Sequence, residues 1–139
     1  MFLVSAEPHV MSLIQPFEVD VIEGDILTIV LKGDLDSIST ADFNNLVQQH
    51  LDAGHSRIII DCRWLGYISS LGIGSLVALQ TRLKRKGGAV KLCAIQGPVM
   101  KIIRTVRLDQ LLDIYGDLQF ARESFAKEAA HSGPEHAVT

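Results

Sequence analysis

The sequence predicts an α/β fold: a mixed, mostly parallel sheet in the order ββαβαβαβα, with helices packed against it. Three observations carry this. Two β-branched runs near the start flank a short polar turn. A later apolar run, "RIIIDC", lacks alternation, as a strand covered on both faces does, and "AVKLCAI" reads as another strand. The segments between strands place apolar residues at helical spacing. A chain of 139 residues, 47% of them hydrophobic, can bury one core without disulfides or metals.

Each element has its own local signal. Phe17 to Lys32 reads as a hairpin around Glu23-Gly24-Asp25, with Phe17, Val19 and Val21 on one face. Gly33 to Thr40 is a loop of turn and capping residues. Ser39, with Asp42 three residues on, suits the start of a helix carrying Phe43, Leu46, Val47 and Leu51, and Gly54 suits its end. "RIIIDC" is a central strand. From Ser70 to Lys86, Ile73, Leu76, Val77, Ala78 and Leu83 fit a helix face, and four cations close the last turn before Gly87-Gly88. "AVKLCAI" is the next strand. Pro98 stands at a first-turn position, with Val99, Ile102, Ile103 and Val106 after it at helical spacing. "LLDIY" is a short last strand, and Asp117 caps a final helix through Phe125. Residues 1–14 then form an N-terminal extension, 15–127 the domain, and 128–139 a polar tail expected to be disordered.

Composition limits the function classes. A net charge of −3 does not suit nucleic acid or an anionic membrane. Eight basic residues lie between Arg82 and Arg107 with no acidic one among them, and they read as solvated faces of two helices. Cys62 and Cys93 close apolar strands and read as reduced core residues of a cytoplasmic protein. The opening "MFLVSAEPHVMSLI" lacks a basic leader and makes a poor signal peptide, and no run approaches the length of a membrane span. The histidines have no ligand spacing, so no metal or other cofactor is expected. "GIGSLV" fits neither a nucleophile elbow, nor a phosphate loop, nor a dinucleotide fingerprint. The expectation is a protein that is not an enzyme.

The informative stretch is "GYISSLGIGSL", Gly66 to Leu76, where a strand hands over to a helix. Ser69 or Ser70 can cap a helix starting near Leu71. Gly72 and Gly74 fall in its first turns, where each glycine costs about 1 kcal/mol relative to alanine. Close approach of a neighbouring element, or a surface kept bare for docking, would offset that. A serine at a helix N-terminus is also a favourable phosphate acceptor, because the added charge meets unpaired amides and the positive dipole end. Trp64 and Tyr67 precede the serines; exposed they would anchor a partner, but rings folded over the core are the preferred expectation.

Three segments resemble the STAS domain family, and within it the bacterial anti-sigma factor antagonists. "LKGDLDSISTADF" is similar to the family's loop before its first helix, with Gly33, Asp34, Leu35 and Asp36 in place. "IIIDCRWLGYISSLGIGSLVAL" resembles its buried strand, the strand-end aspartate Asp61, and its Asp-Ser-Ser-Gly-Leu-Gly motif. "KRKGGAVKLCAIQGPVMKIIRTVRLDQLLDIY" is similar to the family's Gly-Gly turn, strand, proline-containing helix, Leu-Asp pair and last strand. The resemblance implies a domain that binds an anti-sigma factor, itself a serine kinase of the histidine-kinase-like ATPase type. Phosphorylation would abolish binding and a phosphatase restore it. With Gly72-Ile73-Gly74 aligned on Gly-Leu-Gly, Ser69 stands at the motif's aspartate, Ser70 at its first serine and Leu71 at its second. Family members differ in which serine takes the phosphate, so Ser70 is the expected acceptor and Ser69 the second choice. The resemblance implies a binding surface of Asp34, Asp36, Ser37, Tyr67, Leu71, Gly72 and Gly74. Asp36 would repel a phosphate nearby; ordinary turn chemistry is the competing role. The expected partners exclude nucleic acid and membrane insertion, and the chain would be a monomer or weak homodimer. A constitutive scaffold, such as an accessory subunit of a transporter or signalling complex, is the alternative. A small-molecule sensor is a third class, resting only on the open helix N-terminus.

Overall fold

A computed structural model describes residues 17–22 and 26–131. Strands β1 (Phe17–Ile22) and β2 (Ile26–Leu31) form the expected hairpin, in register from Phe17 opposite Leu31 to Ile22 opposite Ile26. The turn residues between them, the N-terminal extension and residues 132–139 lie outside the described residues. Next come α1 (Ser37–Asp52), β3 (Arg57–Asp61), α2 (Ser70–Arg85), β4 (Ala89–Cys93), α3 (Gly97–Thr105), β5 (Asp113–Tyr115) and α4 (Leu118–His131). The sheet order is β1-β2-β3-β4-β5, with β1 antiparallel and β2 to β5 parallel.

Each strand therefore lies beside its neighbour in sequence. Crossovers of one hand that all step in the same direction put α1, α2 and α3 on one face of the sheet. There Leu27, Ile29, Leu31, Ile58, Ile60, Val90 and Leu92 meet Phe43, Val47 and Leu51 of α1, Leu76, Leu79 and Leu83 of α2, and Val99 and Ile103 of α3. The alternate residues Ile26, Ile59 and Cys93 face α4, against Ala121 and Phe125. Both faces are covered, so β3 shows no polar alternation in the sequence.

Several expectations shift. The α1 cap is Asp36, three residues before Ser39. The Asp36 carboxylate accepts from the Ile38 and Ser39 amides, and the Ser39 hydroxyl accepts from the Asp36 amide. Carboxylate and hydroxyl thus close a capping box from opposite ends, leaving no capping role for Asp42. On α2 the buried stripe runs through Leu79 and Gln80, and Ala78 is exposed. Val106 comes after the end of α3 and is exposed. Leu111 and Leu112 belong to a turn after a short 3₁₀ segment (Leu108–Gln110), so β5 is shorter than "LLDIY". Asp117 does cap α4, accepting from the Phe120 amide at 2.9 Å, and the helix runs past Phe125 to His131. Cys62 and Cys93 are free and buried; burial raises the Cys62 thiol well above its ordinary range and pushes Cys93 up to about 12. Both are inert as nucleophiles at neutral pH.

Candidate functional site

Two loops leave the carboxyl ends of adjacent parallel strands, β2 and β3, and lead into α1 and α2. They are stitched together by a parallel bridge between Leu35 and Ile68. The Leu35 amide donates to the Tyr67 carbonyl and the Ser69 amide to the Leu35 carbonyl, each at 2.9 Å. Both bridge side chains are buried. A hydrogen-bonded backbone over two buried anchors fixes the loops relative to each other. The next residues along each chain are the two caps, Asp36 and Ser69. The helix N-termini therefore stand side by side, with Ser37 and Ser70 both in first place and Ile38 and Leu71 both in second.

The two caps differ chemically. Ser69 accepts from the Gly72 amide at 3.1 Å, so its hydroxyl is committed to the helix start. Ser70 is exposed and takes no part in that cap. Ser69→Ala is expected to destabilise the protein by about 1 kcal/mol in urea titration, the usual cost of losing such a cap. Asp36 holds its carboxyl below the ordinary range, first through the Ser39 amide and then the Ser39 hydroxyl. Because the folded value is depressed, the cap is fully present above the ordinary aspartate value and fails only as pH falls through the lower folded one. Amide exchange at the start of α1 is expected to be insensitive to pH-driven fraying from neutrality to about pH 4.

Packing explains the glycines. A Cβ on Gly72 would lie 2.9 Å from Ile68 Cγ1 and 3.0 Å from the Leu35 carbonyl oxygen. Gly72 is buried and lets α2 ride directly over the bridge. A Cβ on Gly74 would meet nothing within 4 Å. Of the two alternatives raised by the sequence, close approach accounts for Gly72, while no neighbour approaches Gly74.

Around the serines the surface is apolar. Ile38 is 77% and Leu71 59% exposed, and Trp64 and Tyr67 are also exposed. The preferred expectation for the two aromatic rings is overturned, because Leu65 and Ile68 already fill the core beneath that loop. Asp34 and Ser37 are exposed at the rim; Asp34 Oδ1 sits 3.2 Å from where Gly66 would carry a Cβ. Asp61, at the end of β3, is buried, accepts from the Arg63 amide at 3.0 Å and pairs with the Arg63 guanidinium at 3.6 Å. It shapes the loop from below and does not reach the face. Sequence reasoning misses Ile38. Its signal is the repeat of cap, serine and large aliphatic residue at 36–38 and 69–71, which shows only once Asp36 is taken as a cap.

The basic run of α2 lies at its far end, away from Ser70. Among the described residues no group of His, Cys, Asp and Glu is placed to hold a metal, and no helix is long and apolar enough to cross a membrane.

Known structures share this architecture. The Thermotoga maritima protein TM1081 superposes with a TM-score of 0.74 at 20% identity, over 78% of this chain and 92% of that one. The anti-sigma factor antagonist SpoIIAA, unphosphorylated, gives 0.64 at 17% identity over 80% and 97% of the two chains. Its phosphorylated form from Bacillus gives 0.62 at 16% over 78% and 98%. A sulfate transporter family protein from Wolinella succinogenes gives 0.66 at 14% over 81% and 93%. At these identities the likeness is one of fold. Residues 16–121 match the STAS domain, and with more than half its length so matched the chain belongs to the STAS domain family.

Proposed function

We propose that this STAS domain is a docking module of the anti-sigma factor antagonist type. It binds an anti-sigma factor that is itself a serine kinase, through the paired starts of α1 and α2, and a phosphate on Ser70 switches the docking off. The observation that carries the reading is the division of labour in the serine pair. Ser69 caps the helix, while Ser70 stands exposed beside Leu71 and Ile38. A phosphate there adds a charge of about −1.5 to −2 at a helix N-terminus, which favours the fold. The same charge arises beside the neighbouring helix start that Asp36 caps, and replaces an apolar docking face with an anionic one. The domain then acts by binding and not by catalysis, and Asp36, held ionised as a cap, is no proton donor.

The neighbouring transporter-family fold and Leu71 at the motif's second serine favour a second reading, a constitutive scaffold without a switch. Peptide mapping of the protein from its own cells, with and without phosphatase, separates the two. A phosphatase-sensitive phosphate on Ser70 is the expected result. Its absence across growth conditions, together with retained partner binding by Ser70→Asp, would favour the scaffold. Ser70→Asp is expected to change stability by no more than about 0.5 kcal/mol, since the side chain is at the surface.

A further inference from the structure

Lys91 is an anomaly among the eight basic residues between Arg82 and Arg107. It lies on the middle of β4, facing away from α1 to α3, and its side chain is fully buried. The polar and aromatic groups around its ammonium come from α4 and from β5 beside it. Nζ donates to Ser124 Oγ and pairs with Glu128 Oε2. It lies 4.3 Å from the centre of the Phe125 ring and 5.3 Å from that of Tyr115, whose hydroxyl is 2.7 Å from Ser124 Oγ. Glu128 is 55% exposed, so the anionic half of the pair is still wet. The apolar contact of α4 is confined to a few side chains among the described residues: Ala121 and Phe125 are buried against Ile26, Ile59 and Cys93, and the half-buried Leu118 packs beside Ala89 and Tyr115.

We propose that α4 is a releasable strap, clasped by Lys91 and Glu128, that opens from the sheet while the rest of the fold stays intact. Two physical facts point the same way. A buried ion pair gains little net over an apolar residue of the same size, because water must be stripped from the charge. When α4 lifts, Lys91 regains that water, so the charge lowers the cost of opening. It also leaves the uncovered face with a cation at its centre, which discourages pairing with other apolar surfaces.

Segment-resolved hydrogen exchange on the full chain tests the strap. In the unmodified protein, amides of α4 are expected to exchange through an opening that leaves β3 and α2 protected. Glu128→Gln, a half-exposed and fold-tolerant change, is expected to speed α4 exchange about tenfold with β3 unchanged, and Lys91→Met to slow it. Exchange of α4 and β3 as one unit, in the unmodified protein and in Glu128→Gln alike, would overturn the proposal. So would acceleration by Lys91→Met, which would make Lys91 a simple stabilising pin.

Discussion

Gly72→Val is expected to destabilise the protein by about 3 kcal/mol, with loss of the paired loops before the sheet. Even a single added carbon would stand 2.9 to 3.1 Å from Ile68 Cγ1, the Leu35 carbonyl oxygen and Leu35 Cδ2, and one of these is backbone that cannot turn aside. A branched side chain adds two further atoms to the same space. The helix start must then lift, which breaks the Ser69 to Leu35 hydrogen bond and uncovers two core residues. Gly74→Ala supplies the control. It adds a methyl group in open space on a helix and is expected to stabilise by about 0.5 to 1 kcal/mol. Denaturant titration of the two variants checks both signs; equal effects would mean that close approach does not explain Gly72.

Leu71→Asp is expected to weaken the docking proposed above, on an anti-sigma factor kinase, at least about 30-fold while leaving the unfolding free energy within about 0.5 kcal/mol. The side chain is largely exposed on the second residue of α2, so the isolated fold gains little from it. At an interface it would be desolvated together with Ile38 and Tyr67, and a carboxylate in its place would be buried unpaired or keep water in the contact. Titration calorimetry against the kinase, beside thermal unfolding of the same preparation, reads both quantities. Unchanged affinity would move the docking face elsewhere on the domain.

Much of the fold is legible in the sequence because each strand and helix announces itself locally. "RIIIDC" has three consecutive isoleucines that suit a doubly covered strand, and Asp117 caps α4 as its spacing suggests. The start of α1 is easily misplaced because Asp36 and Ser39 are both capping residues three apart, and sequence alone does not say which end of the box comes first. Lys91 reads as solvated because nothing near it in sequence provides its partner; Ser124 and Glu128 are more than thirty residues away. The pairing of the two serine-bearing turns is likewise invisible, since it depends on the bridge from Leu35 to Ile68. The exposure of Trp64 also has to be seen, because it is the structure that puts Leu65 and Ile68 in the core beneath that loop.

The sequential strand order has a kinetic consequence. Every strand joins the one made just before it, so each pairing can close as soon as its own strand has been made. A chain emerging from the ribosome can lay down the hairpin first and then add one strand and helix at a time, finishing its α1-to-α3 layer as it goes. The opposite face has to wait for the final helix. During that interval the growing sheet presents Ile26, Ile59 and Cys93 to water with the Lys91 ammonium among them, a charge that disfavours apolar self-association until α4 is made.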